Sequence, residues 1–127
     1  MAGHGRLTTH VLDTANGKPA AGMGIGLFFI ESIDAGDEDE EVALLVETVT
    51  NADGRCDGAL LEGEEMVPGV YELLFQVGDY FKALGVEDQY PAFLDQVPVR
   101  FGISNTSAHY HVPLLVSPFA YSTYRGS

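Results

Sequence analysis

Short runs of β-forming residues, broken at close intervals by Gly, Pro, Asn and Asp, constrain the fold of this chain more than any other feature. Leu7 to Asp13 alternates, with Leu7, Thr9 and Val11 on one face and Thr8, His10 and Leu12 on the other. Asn16-Gly17-Lys18-Pro19 supplies a turn, and Met23 to Glu31 and Val42 to Thr50 follow as the second and third strands. Asn51-Ala52-Asp53-Gly54 is a hairpin turn, since glycine accepts a positive φ without a Cβ clash, and a short fourth strand starts at Arg55. Pro68-Gly69 precedes a fifth strand, Val70 to Val77. Asp79 to Leu84 reads as one or two helical turns stopped by Gly85. Val97 to Ser104, Ala108 to Val116 and Tyr121 to Arg125 complete the set. Eight strands and one short helix predict an all-β sandwich or barrel of antiparallel sheets. No repeat, linker or change of composition interrupts residues 1–127, which read as a single domain.

Charge excludes several partners. The chain carries 19 acids against 6 bases, a formal net charge of -13. Such a surface repels nucleic acid and anionic membranes, and an anionic substrate would need a locally placed cation. The acidic run Asp34 to Glu41 reads as a solvated loop, without the ligand spacing of a calcium site. No apolar run is long enough to span a bilayer and no signal peptide is visible at the start, so a cytoplasmic location is the expectation. Cys56 is the only cysteine, which rules out an internal disulfide and a cysteine metal cluster.

The polar residues within the strands carry the chemistry. Strand parity puts His109, His111, Pro113 and Leu115 on one face, Thr8, His10 and Leu12 on another, and Ser122, Tyr124 and Gly126 on a third. The opposite faces, Leu7/Thr9/Val11 and Tyr110/Val112/Leu114, belong to the core. If these strands are neighbours, a single outward face studded with imidazoles results. The apolar Leu12, Pro113 and Leu115 on it suggest contact between subunits. Imidazole suits proton transfer near neutrality. His109 and His111 alternate as some metal ligands do, but no carboxylate shares their face, and no metal is expected. Arg55, just past Gly54, stands at a sheet rim where its planar guanidinium can meet carboxylate or amide oxygens. There is no phosphate-cradling glycine loop and no serine nucleophile elbow, which points to water activated by a histidine.

Three blocks of sequence together resemble the 5-hydroxyisourate hydrolases, the enzyme branch of the transthyretin-like proteins. They are Leu7-Thr8-Thr9-His10-Val11-Leu12-Asp13 with Gly17-Lys18-Pro19-Ala20; Asp53-Gly54-Arg55 with Gly78-Asp79-Tyr80-Phe81; and His109-Tyr110-His111-Val112-Pro113-Leu114-Leu115 with Ser117-Pro118 and Tyr121 to Ser127. The terminal Tyr124-Arg125-Gly126-Ser127 is highly specific. Transthyretin, the hormone carrier, shares the fold but lacks the His, Arg and terminal set. A transthyretin-like small-ligand carrier is the alternative reading, and its mark would be an apolar channel without paired histidines. The acidic run at Asp34 to Glu41 and the segment Pro91 to Gln96 both look longer than is usual in the family.

The resemblance implies a sandwich of two four-stranded antiparallel sheets, with the first, fourth, seventh and eighth strands together in one sheet. It also implies a homotetramer with sites at subunit interfaces in a central channel, and no cofactor. The reaction it implies is hydrolysis of 5-hydroxyisourate in urate catabolism. His10 and His111 are candidates for positioning and deprotonating water, either of them as the base, Arg55 for orienting substrate and countering charge, Tyr124 for contacting substrate, and Ser127 for contributing its hydroxyl or the terminal carboxylate. His109 is expected to support the others by hydrogen bonding. Arg125, of opposite parity to Tyr124, is expected to hold the tail.

Overall fold

A computed structural model describes residues 4–32, 40–86 and 90–126. Among the described residues, nine strands and one α-helix follow in the order β1 (Arg6–Asp13), β2 (Lys18–Pro19), β3 (Gly24–Ser32), β4 (Glu40–Val49), β5 (Leu61–Glu62), β6 (Gly69–Gln76), α1 (Val77–Ala83), β7 (Gln96–Ile103), β8 (His109–Val116) and β9 (Tyr121–Thr123). Most of the acidic run, residues 34–39, lies outside the described residues, and its reading as a solvated loop lies there with it.

Two sheets face each other. One has the order β2-β1-β8-β9 with β5 also on β1; the other has the order β4-β3-β6-β7. The expected inward faces are the observed ones. Leu7, Val11, Tyr110, Val112 and Leu114 from the first sheet pack against Ile25, Leu27, Tyr71, Leu73, Phe75 and Val97 from the second. Burial on this scale is what holds the sheets together, since each large apolar side chain removed from water contributes about 1.5–3 kcal/mol. Thr9 keeps its place on the inner face because its hydroxyl donates to the Val112 carbonyl at 2.7 Å. α1 covers one end of the core with Val77, Tyr80 and Phe81.

Three details of the expected architecture change. First, β1 and β8 run parallel, with Arg6 opposite His109 and Thr8 opposite His111. Most of the sandwich separates these strands in sequence, so no hairpin fixes their relative direction. Second, no strand starts at Arg55. Only an isolated bridge joins Arg55 to His10, and regular pairing resumes at β5. Asn51 claims this segment instead: its side-chain oxygen accepts the N–H groups of Asp53 and Arg55, and its amide donates to Asp57. Third, β9 stops at Thr123, two residues early. Continued in register, Tyr124 lies opposite Pro113, whose missing N–H leaves a gap in the ladder before the bridge between His111 and Gly126. Pro113 itself is buried, so the outward apolar patch keeps only the half-buried Leu12 and Leu115 of its three expected members. Among the described residues, no helix is long and apolar enough to cross a membrane.

Candidate active site

The loop after β4 is fixed onto β1 by its glycine. Gly54, at φ 76, returns the turn to Asn51 with a 2.9 Å hydrogen bond, and its carbonyl accepts the N–H of Val11 at 2.8 Å. A side chain at position 54 would run into the Val11 carbonyl. This contact sets Asp53 and Arg55 beside His10. The His10 Nε2 lies 2.9 Å from the Asp53 carbonyl oxygen. A carbonyl can only accept, so Nε2 carries the hydrogen and Nδ1 is the bare nitrogen of neutral His10.

His109 and His111 project from β8 on the outer face, with Thr8 between them. Thr8 Oγ1 is 2.8 Å from His109 Nε2 and 2.8 Å from His111 Nδ1. The rings of His10 and His111 are 6.5 Å apart, and those of His109 and His111 6.1 Å. A cavity of about 410 Å³ opens here, lined among others by Arg6, Thr8, Arg55, Cys56, His109 and His111. Arg6 and Arg55 are two of the six bases in the whole chain, so positive charge is concentrated at this opening of an acidic protein.

These surroundings keep the imidazoles neutral. Burial, and then the charge of Arg55, lowers the pKa of His10. The same two causes, followed by His109 and His10, lower that of His111. Burial and Arg6 lower that of His109. Each therefore offers one bare ring nitrogen at neutral pH, the state a proton acceptor needs. Burial and Asp57 push the Cys56 thiol up, away from the thiolate a nucleophile requires. Among the described residues, no three His, Cys, Asp or Glu side chains form a group suited to a metal ion.

Of the residues singled out in the sequence, His10, Arg55, His109 and His111 come together. Tyr124 does not join them within one protomer. It is 60% exposed and lines a separate hollow with Val99, Tyr110 and Arg125. The chain end does arrive beside the cluster, because the Gly126 N–H donates to the His111 carbonyl at 2.7 Å. Arg125 turns away from the cluster and lies over the Tyr110 ring, 4.1 Å from its centre. Ser127 lies outside the described residues. Thr8, Arg6 and Cys56 carry no assignment from sequence. Parity places Thr8 with His10, but only the parallel register reveals that it stands opposite His111.

Known proteins share this arrangement of sequence. The model of the HIUase/Transthyretin family matches residues 7–126. The 5-hydroxyisourate hydrolase 2 of Rhizobium meliloti (strain 1021) is 56% identical over 128 aligned positions, covering 100% of both chains. The 5-hydroxyisourate hydrolase of Pseudomonas aeruginosa is 54% identical, over 97% of this chain and 92% of that one. Among solved structures, that of an (S)-allantoin synthase superimposes with a TM-score of 0.88 at 47% identity; it covers 98% of this chain, which spans 44% of that longer one.

Proposed function

The chain belongs to the HIUase/transthyretin family and is a hydrolase, and on that premise we propose that its substrate is 5-hydroxyisourate, opened by water to 2-oxo-4-hydroxy-4-carboxy-5-ureidoimidazoline without a covalent enzyme intermediate. The observation that carries this reading is the approach of His10 and His111, 6.5 Å apart, beside a cavity that Arg55 also lines.

The reaction asks for three things: a flat polar heterocycle held in place, a nucleophilic water, and compensation of charge on the attacked carbonyl. Water lies between the bare nitrogens of His10 and His111. His111 takes one proton as the general base, since it lines the cavity; Nδ1 of His10 accepts the second O–H and aims the oxygen. The oxygen bonds to the acyl carbon, whose carbonyl oxygen becomes an oxyanion. The ring C–N bond then breaks, and the leaving nitrogen receives the proton held by His111. Arg55 binds the substrate through its fork of donors and stabilises the oxyanion. His109 supports His111 through Thr8. Ser127 is assigned a hydroxyl contribution to substrate or water.

Assembly completes the site. We assign a homotetramer in which Tyr124, exposed in its own protomer, contacts substrate at a subunit interface. Support comes from Phe119, Tyr121 and Tyr124, three exposed aromatic residues on and beside β9. The test of function is the ultraviolet decay of freshly generated 5-hydroxyisourate at catalytic amounts of protein. Acceleration over the spontaneous rate with many turnovers supports a hydrolase. Saturable binding without acceleration would instead make the protein a carrier.

A further inference from the structure

We propose that Thr8 is a positioning residue that selects the tautomer of His111, and with it the ring nitrogen available to water. The role of that nitrogen rests on the hydrolase reading above, whereas the tautomer itself does not.

The argument starts from one hydroxyl between two imidazoles. Thr8 Oγ1 is 2.8 Å from both His109 Nε2 and His111 Nδ1. A hydroxyl has a single hydrogen, so it can donate to only one of them. The other contact is a hydrogen bond only if its ring nitrogen carries the hydrogen. With both imidazoles neutral and both contacts made, two arrangements exist. In one, His111 Nδ1–H donates to Thr8, Thr8 O–H donates to His109 Nε2, and His111 Nε2 is bare. In the other, His109 Nε2–H donates to Thr8, Thr8 O–H donates to His111 Nδ1, and His111 Nε2 carries a hydrogen and cannot act as a base.

One feature favours the first arrangement. Arg55 lines the same cavity as His111, and a guanidinium favours a lone pair over an N–H on a nitrogen facing it. The backbone fixes the place of the hydroxyl in either arrangement: Thr8 stands directly opposite His111 in the parallel register, and His109 is two residues away on the same face of β8. The hydroxyl is held between the rings by strand pairing and does not depend on a loop. The two histidines are then a coupled pair, with His109 receiving the hydrogen bond that orients Thr8, and Thr8 receiving the one that orients His111.

The experiment is long-range proton–nitrogen correlation NMR of the ¹⁵N-labelled full-length protein, without substrate and at a pH where its histidines are neutral. In the wild type, His111 should be protonated at Nδ1 and bare at Nε2. Thr8→Val keeps the side-chain shape and removes the hydroxyl, and should shift His111 toward the Nε2–H form that a free imidazole prefers. Thr8→Ser should retain the wild-type tautomer. In the hydrolysis assay, Thr8→Val should lower kcat on the order of a hundredfold with KM little changed, and Thr8→Ser should restore most of it. An Nε2–H on wild-type His111, an unchanged tautomer in Thr8→Val, or a serine variant that behaves like valine would overturn the proposal. A wild-type protein without hydrolase activity would overturn the functional reading alone, because the NMR result stands without substrate.

Discussion

The N–H of Gly126 donates to the carbonyl of His111 at 2.7 Å, and the two residues are so close that a Cβ on residue 126 would lie 2.8 Å from the His111 Cδ2 atom. Only glycine fits here without displacing either the ring or the tail. Gly126→Ala should therefore lower kcat/KM by about tenfold to a hundredfold, the scale expected when a reacting group is misplaced by about an ångström. Its melting temperature should stay within a few degrees of the wild type. Wild-type activity in this variant would mean that the His111 ring position is not critical.

Removal of Tyr124 to Ser127 should abolish turnover and leave a folded protein. β9 ends before this segment, and none of the described residues in it belongs to the core. The Arg125→Ala variant is the milder form of the same experiment. It loses a cation–π contact at 4.1 Å, worth about 0.5–2 kcal/mol. Its activity should fall by more than that stability loss explains, because the tail is no longer tied to Tyr110. Denaturation curves measured beside kinetics separate the two effects.

Arg55 is exposed and makes its bridge to β1 through the backbone. Arg55→Ala should thus leave unfolding nearly unchanged while kcat/KM falls by roughly a hundredfold to a thousandfold, the range for loss of a group that stabilises an oxyanion. Lysine should rescue only partly, since an ammonium lacks the planar fork. Unchanged turnover in Arg55→Ala would remove the residue from the mechanism.

The acid limb of the pH profile should lie below the ordinary imidazole value of 6.5, because burial and Arg55 lower the pKa of both His10 and His111. The base works when neutral, so kcat/KM should hold as pH falls to that value and decline only beneath it. Stability follows the same direction. The folded state binds these protons less readily than the unfolded chain, so the histidine contribution is complete above 6.5 and is lost as pH falls from there toward the folded pKa values. An acid limb centred at or above 6.5 would contradict this electrostatic picture.

Asp13 carries the clearest polar contribution to stability. Burial pushes its pKa up, but hydrogen bonds from Asn16 and Tyr80 outweigh that and hold it below its usual value. Its carboxylate accepts the Asn16 N–H, the Asn16 amide and the Tyr80 hydroxyl at 2.9, 2.7 and 2.8 Å. Asp13→Ala should cost about 2–4 kcal/mol in denaturant unfolding, because it strands a buried phenol as well as removing the carboxylate. The native contribution of Asp13 should be present above the unfolded carboxylate range and disappear as pH falls through its lowered folded value.

The faces of the strands were legible in the sequence because period-two alternation is a local property. Leu7, Thr9 and Val11 point inward and His10, His109 and His111 outward, as alternation requires. Which strands are neighbours is not local, and their grouping came from family resemblance. The parallel pairing of β1 with β8, and so the contact of Thr8 with both histidines, depends on how the rest of the chain crosses the sandwich. Arg55 shows a different limit. Its residue type and the preceding Gly54 suggested a rim cation, yet the competing hydrogen bonds of Asn51 turned the expected strand into a tight loop. The shortened β9 was readable in principle from the absent N–H of Pro113, but only once the register opposite Tyr124 is known. The site lies on ordinary strand positions and one Gly turn, so neither composition nor charge reveals it without the fold.

The most direct measurement compares wild type with His111→Asn in the ultraviolet decay of freshly generated 5-hydroxyisourate, at equal protein concentration and with folding checked by circular dichroism. The wild type should consume many equivalents of substrate per chain, and the variant should fall by at least about a hundredfold while remaining folded. Equal rates for the two proteins would show that the cluster around His111 does not perform the hydrolysis.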